Sequence, residues 1–329
     1  MTRWLLLCFV PFIALQTLAQ DKQGFIERMD PALDALIDSA AKVEVICRGF
    51  IWSEGPQWLP AQKKLLFSDV PANKIYQWSE KEGQSVYLQP SGYTGTVPRG
   101  GELGSNGLII SKNGELIICQ DGDRRIARMK ASLARPAPVF VTMADKFKGK
   151  KFNSPNDMAF DKEGNLLFTD PPYGLEKNMD DPLKELPYQG VFKLKKSGEL
   201  VLLTDTITRP NGIAVTADGK TLLIANSDPA KPYWYAFDLR DDSLINGRIF
   251  YNASAAAALA PGMPDGMKLD SKGNLYATGP GGVWIFDKNA KLLGKIRFDG
   301  LTSNCALTED EKTIFITADM YVLRVRLRK

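Results

Sequence analysis

Six polar residues stand at the head of one recurring phrase. Glu54, Asn106, Asn156, Asn211, Asp265 and Asn304 each precede a small or short residue, then a brief apolar run, a turn and a second apolar run. Two carboxylates and four amides form an all-oxygen donor set. Such a set suits a hard divalent cation, and Ca²⁺ takes six to eight oxygen ligands, some of them water. Zinc and copper are better served by imidazole or thiolate. The chain contains no histidine. That excludes a Ser-His-Asp triad, a Cys-His dyad, a His-Glu-x-x-His zinc site and a histidine general base. Catalysis is left to carboxylates, Lys, Tyr, Cys or a cation held by oxygen. The expected cofactor is a divalent cation, Ca²⁺ first, with Mg²⁺, Mn²⁺ or Zn²⁺ as alternatives.

These heads must be brought together by something. They are separated by 52, 50, 55, 54 and 39 residues, a spacing that reads as a repeat architecture. Each unit carries further short runs rich in Val, Ile, Leu, Phe and Tyr, at residues 74–78, 125–129, 190–194, 234–239, 282–287 and 321–327. Turn residues such as Asn-Gly, Asp-Gly and Lys-Gly punctuate them. The expectation is an all-β fold, a six-bladed β-propeller of four-stranded blades occupying residues 43–329. In that fold the heads form a ring at one end of the central channel. Taken singly, Asn-Gly and Asp-Gly are turn dipeptides; six in register argue for the ring. The last unit is short, so residues 43–50 are expected to complete it and close the circle. Residues 26–42 have helical apolar spacing and predict a short N-terminal helix within an extension at 20–42. Residues 171–189 read as a long loop in the third blade.

The whole chain has 329 residues, a formal charge of +4, 44% hydrophobic and 24% charged residues. This is globular composition with too little basic excess for a nucleic-acid binder. Residues 1–19 read as a secretory signal: Arg3, an apolar stretch at 4–15, and Thr17 and Ala19 before the expected cut. They imply export to the periplasm or the medium. No other stretch is long and apolar enough to remain as a membrane span. Cys47, Cys119 and Cys305 are widely spaced in apolar contexts and read as buried small hydrophobes, although export would permit one bridge. Oligomeric state is not legible.

The motifs SEGPQW, SNGL, NSPNDMAF, FTDPPYG, RPNGIAV, PDGMKLD and TGPGGVWIF, in this order, resemble the gluconolactonase family. That family is related to senescence marker protein (regucalcin) and, more distantly, to diisopropyl fluorophosphatase. The resemblance covers residues 43–328. It implies a six-bladed propeller, a divalent cation in the channel and hydrolysis of a sugar lactone. Carried over by motif, the metal ligands are Glu54, Asn156, Asn211 and Asp265, with Asn106 beside the metal on the substrate side. Asp265 is the expected proton acceptor for the attacking water. Arg99, Asn106, Asp121 and Tyr173 are candidates for binding substrate, and Lys151 and Arg209 are outer candidates. Asp121 stands where many relatives have histidine. Two other readings use the same site: a non-catalytic propeller that binds a ligand or partner, and hydrolysis of another ester or a phosphotriester.

Overall fold

The structure, a computed structural model, describes residues 24–328. The signal expected at residues 1–19 lies outside them. Six antiparallel sheets of four or five strands follow one another along the chain, with one two-stranded hairpin at Lys146–Phe147 and Lys150–Lys151. Blade one comprises Ser53–Leu59, Lys64–Asp69, Lys74–Ser79 and Gly83–Leu88. Blade two runs from Ser105–Ile110 to Phe140–Ala144, blade three from Met158–Phe160 to Leu200–Thr204, and blade four from Pro210–Val215 to Ser243–Asn252. Blade five is built on Met267–Leu269 to Leu292–Phe298, and blade six on Asn304–Leu307, Thr313–Ala318 and Tyr321–Arg326. The first strands of consecutive blades touch, and that of blade six touches that of blade one. The result is the expected six-bladed propeller.

The closure is the expected one. Val43–Arg48 pairs antiparallel with Tyr321–Arg326, Val45 facing Leu323, and supplies the fourth strand of blade six. An N-terminal strand thus ties down the C-terminal blade, so the ring is stapled by backbone hydrogen bonds. Residues 171–189 form the expected long loop between Leu166–Asp170 and Gly190–Leu194.

The core is divided into six apolar layers, one between each pair of neighbouring blades. Strand periodicity explains this division. In Lys64–Asp69, Leu66 packs towards blade two while Leu65 and Phe67 pack towards blade six. Successive side chains point to opposite faces, and both faces of each blade are covered. Inner strands are therefore continuous apolar runs rather than alternating ones, as in LIIC and LLFT. Cys47, Cys119 and Cys305 are free and buried, each in a different layer.

The expected N-terminal helix is not found. Residues Gly24–Arg28 form a strand that pairs with Leu292–Phe298 as a fifth strand on blade five. Only Pro31–Ala35 then turn, as a 3₁₀ helix whose start is capped by the Asp30 carboxylate accepting from Ala32 N–H. The helical spacing survives in one pair: Leu33 and Ile37 are both fully buried in the layer between blades five and six. An unpaired blade edge offered five backbone pairings to the segment before it, and tertiary pairing overrode local propensity. The one α-helix among the described residues is Ser254–Ala257. No described helix is long and apolar enough to cross a membrane.

Candidate active site

The repeat heads sit inside or just before the first strand of each blade, not in turns. Glu54, Asn106 and Asn211 interrupt the ladder there: the register slips between Glu54 and Gln57, between Ser105 and Leu108, and between Pro210 and Ile213. Such bulges re-aim side chains, here towards the channel. The glycine that follows four of the heads has a steric cause. A β-carbon on Gly107 would lie 2.7 Å from the Asn156 carbonyl oxygen, and one on Gly55 or Gly212 would lie closer still to the carbonyl of Asn106 or Asp265. Each glycine is the surface against which the next blade's head is seated. Hydroxyl groups fix the same contacts. Ser68 Oγ donates to the Asn106 carbonyl at 2.9 Å, Thr169 Oγ1 to that of Asn211 at 2.7 Å, and Ser303 Oγ to that of Ser53 at 2.6 Å. Buried acids hold the loops that lead in. Asp69 accepts from Ile51 and Trp52 N–H, and Asp170 from Asn153 and Ser154 N–H.

Five of the six heads then line one cavity of about 270 Å³: Glu54, Asn106, Asn156, Asn211 and Asp265. The cavity is slightly smaller than the roughly 300–1,000 Å³ typical of drug-sized sites. Tyr173 and Arg209 also line it, as do Glu102, Trp52, Ser227 and Met263. Asn304 is outside it. Its amide donates across the channel to Asp157 Oδ2 at 3.5 Å, while its Oδ1 accepts from Cys305 N–H. Blade three carries Asp157 where four other blades have glycine, and that carboxylate captures the sixth head.

The lining carries three carboxylates, Glu54, Glu102 and Asp265, against one cationic side chain, Arg209. Burial first, with Asp157 and Glu102 adding to it and the Gly55 N–H opposing, raises the Glu54 carboxyl to about 8. Burial, Glu54, Asp157 and Glu102 push Asp265 well above the usual carboxylate range. Asn106 Oδ1 is buried with no hydrogen-bond partner. The Asn211 amide donates to Ser227 Oγ at 3.0 Å, which turns its Oδ1 away from that bond. An orphaned amide oxygen beside two mutually repelling carboxylates is what a hard cation would relieve. Among the described residues no three His, Cys, Asp or Glu side chains gather as a metal site. The fit therefore rests on carboxylate and amide oxygens together, and the donor set suits an oxygen-loving divalent cation.

A sequence profile for the SMP-30/Gluconolactonase/LRE-like region matches residues 52–319. The chain belongs to this family. A gluconolactonase from Zymomonas mobilis is 40% identical over 313 residues, 93% of this chain and 86% of that protein. A pentonolactonase from Haloferax volcanii is 26% identical over 262 residues, 78% of this chain and 75% of that one. A solved gluconolactonase from Xanthomonas campestris superposes with a TM-score of 0.79 at 27% identity, covering 94% of this chain and 98% of that one.

Within this family member the remaining candidates occupy four different places. Tyr173 lines the cavity, its hydroxyl beside Ser227, and burial and Asp265 hold its proton on. Arg99 does not line it. Its guanidinium donates to the carbonyls of Gly174 at 2.9 Å and Gly122 at 2.5 Å and lies over the Tyr93 ring, clamping two rim loops together. Asp121 is fully buried just behind the lining, with neither carboxyl oxygen in a well-formed hydrogen bond. Burial first, then Glu102, Glu54 and Asp170, push it far up, with Asn106 opposing. Lys151 pairs in a two-residue hairpin strand and its N–H donates to Glu185. Sequence reasoning missed Glu102, Trp52, Ser227 and Met263. They lie in rim loops with no counterpart between repeats, so register carried no signal for them.

Proposed function

We propose that this chain opens a sugar lactone to its aldonic acid within the channel cavity, with a divalent cation as cofactor. The observation that carries the reading is the convergence of five oxygen-bearing side chains from five blades on one small polar cavity, in a member of a lactonase-containing family. Glu54, Asn156, Asn211 and Asp265 are the residues that would hold the cation. When bound, a divalent cation supplies Lewis-acid polarisation of the lactone carbonyl and stabilises charge on its oxygen.

The chain's own residues do the rest. The bulged first strands and the inter-blade hydroxyl bonds hold the donors in place before substrate arrives, so little reorganisation is left to the reaction. Asn106, with its free Oδ1, accepts from a substrate hydroxyl. Tyr173 and Arg209 face the same space and supply donors for the ring hydroxyls and the developing carboxylate. A carboxylate of the cavity takes the proton of the attacking water, and Asp265 is the one nominated by register. The roughly 270 Å³ volume admits one small polar molecule, which favours a monosaccharide lactone over a polymer or a protein partner. The secretory-signal pattern of residues 1–19 supports the reading of an exported enzyme.

The test is a panel of aldonolactones assayed with purified protein after chelation and after return of Ca²⁺, Mg²⁺, Mn²⁺ or Zn²⁺ in turn. Loss on chelation and recovery with at least one cation are expected. No turnover of any aldonolactone with any of these ions rejects the reading.

A further inference from the structure

Glu102 is the one carboxylate of the cavity that no repeat head explains. It lies in the loop before blade two's first strand and lines the cavity with Glu54, Asn106, Tyr173 and Asp265. That loop is tied down from both sides. Arg99 grips the carbonyls of Gly122 and Gly174. A β-carbon on Gly101 would meet the Gly174 carbonyl oxygen at 2.8 Å, and Glu102 N–H reaches the Tyr173 carbonyl at 3.5 Å. The side chain itself is uncommitted: its carboxylate forms no ion pair or hydrogen bond with the described residues.

Asp265 is committed. It is a ring donor, and its carboxylate interacts electrostatically with that of Glu54. A carboxylate shared with a dication has its pKa driven down and is a weak base. Two demands on one side chain, to hold a cation and to take a proton, oppose each other. The cavity contains a second carboxylate free of the first demand.

We propose that Glu102, rather than a ring carboxylate, is the general base of the reaction. This rests on the lactone-hydrolysis reading above. The Glu102 carboxylate takes one proton from water as the water oxygen bonds to the lactone carbonyl carbon. The bond from that carbon to the ring oxygen then breaks, and Glu102 returns the proton to the leaving ring oxygen, which becomes a hydroxyl. The product is a hydroxy acid that ionises in solvent, and Glu102 ends as the carboxylate it began. It lines the cavity and has no ion-pair or hydrogen-bond partner there, so its lone pairs are open to a water in the same space, as a positioned general base requires. Asp265 and Glu54 are left as ligands, and Arg99 acts through the loop as a positioning residue.

The experiment uses the cation-loaded protein. Glu102→Gln is expected to lower kcat about 10²- to 10⁴-fold, the usual worth of a positioned base, while cation affinity by titration calorimetry stays within threefold. Glu102→Asp should recover part of the loss. In the unaltered protein, kcat corrected for spontaneous opening should fall towards acid pH, and Glu102→Gln should lack that limb. The inference is overturned if Glu102→Gln retains kcat within fivefold, or if it loses cation affinity in step with activity, which would make it a ligand. It is also overturned if Glu102→Gln keeps the acid limb of the unaltered protein. If the unaltered protein turns over no lactone, the lactonase reading fails, and that outcome is visible before any variant is made.

Discussion

Gly107→Ala should damage the site from a position that does not line the cavity. Gly107 follows Asn106 and its N–H donates to the Asn156 carbonyl at 2.8 Å. A β-carbon added there would lie 2.7 Å from that carbonyl oxygen and 3.0 Å from Asp157 Cα. Its φ is not in the left-handed region, so the cost is space and not backbone strain. An ordinary contact begins at 3.4 Å, so blade three's head must retreat by about 0.7 Å. The obstacle is backbone, which cannot rotate away. A misplacement of about 1 Å costs about 10²-fold in rate, so the expected loss in kcat/KM is about 10- to 100-fold, with weaker cation binding because Asn156 is displaced. Overpacking should cost about 1–3 kcal/mol, a fall of several degrees in Tm. Gly212→Ala, where the obstruction is tighter, should lose more of each. Gly114→Ala is the control. It has φ +76° and no atom within 4 Å of the added carbon, so it should cost about 1–2 kcal/mol of left-handed strain and leave kcat/KM unchanged. The measurements are lactone turnover, cation titration and thermal melting on the three variants. If Gly107→Ala keeps both kcat/KM and cation affinity within threefold, the heads are not seated against these glycines and the packing argument is wrong.

Cation removal should reverse the usual dependence of stability on pH. Glu54 and Glu102 have folded values of about 8 and 7 against ordinary values of 4.5. Between those limits the folded state binds more protons than the unfolded one, so stability falls as pH rises. In chelator, Tm should drop from pH 5.5 to 8.5, and a saturating divalent cation should restore most of the loss at the alkaline end; a Tm that rises across this interval in chelator contradicts the assignment. Thr169→Val removes the donor to the Asn211 carbonyl and leaves a buried acceptor unpaired, so urea unfolding should show a loss of about 1–3 kcal/mol. Arg99→Ala releases two rim loops without touching the ring; kcat/KM should fall while calorimetric cation affinity holds, and loss of cation binding would place Arg99 in the ring's support instead.

What was legible in the sequence is what the repeat enforces. The blade count, the closing strand and five of the six heads all follow from register, because a propeller maps equal positions onto one ring. Asn304 kept the register and still left the cavity, because Asp157 offers it a partner across the channel. That exchange depends on a pair 147 residues apart, which no local pattern encodes. The glycines were legible as residues but not as causes: Asn-Gly reads as a turn, whereas here it is a strand packed against the next strand. The N-terminal segment had true helical spacing at Leu33 and Ile37, yet its first residues were taken by an open edge on blade five. Glu102 was invisible because it belongs to a loop, and loops differ between blades.

The charge pattern of the ring follows from the same geometry. All six heads could have been acidic, and only Glu54 and Asp265 are. Two unit charges 4 Å apart interact by about 4 kcal/mol at an effective dielectric of 20, so every further carboxylate in a closed ring adds a repulsion of that order for each neighbour, and one dication compensates two. A third carboxylate does stand in the channel, Asp157, and it is met by Lys268 from blade five, with Nζ 4.0 Å from Oδ2, as well as by Asn304. The amides at the remaining heads add oxygen donors without adding charge. Histidine would add neither a hard oxygen nor a negative charge, so a ring of this composition lacks nothing by its absence. Proton transfer is the one task that histidine would otherwise do, and in the proposal above it falls to Glu102, a carboxylate that is not one of the repeat heads.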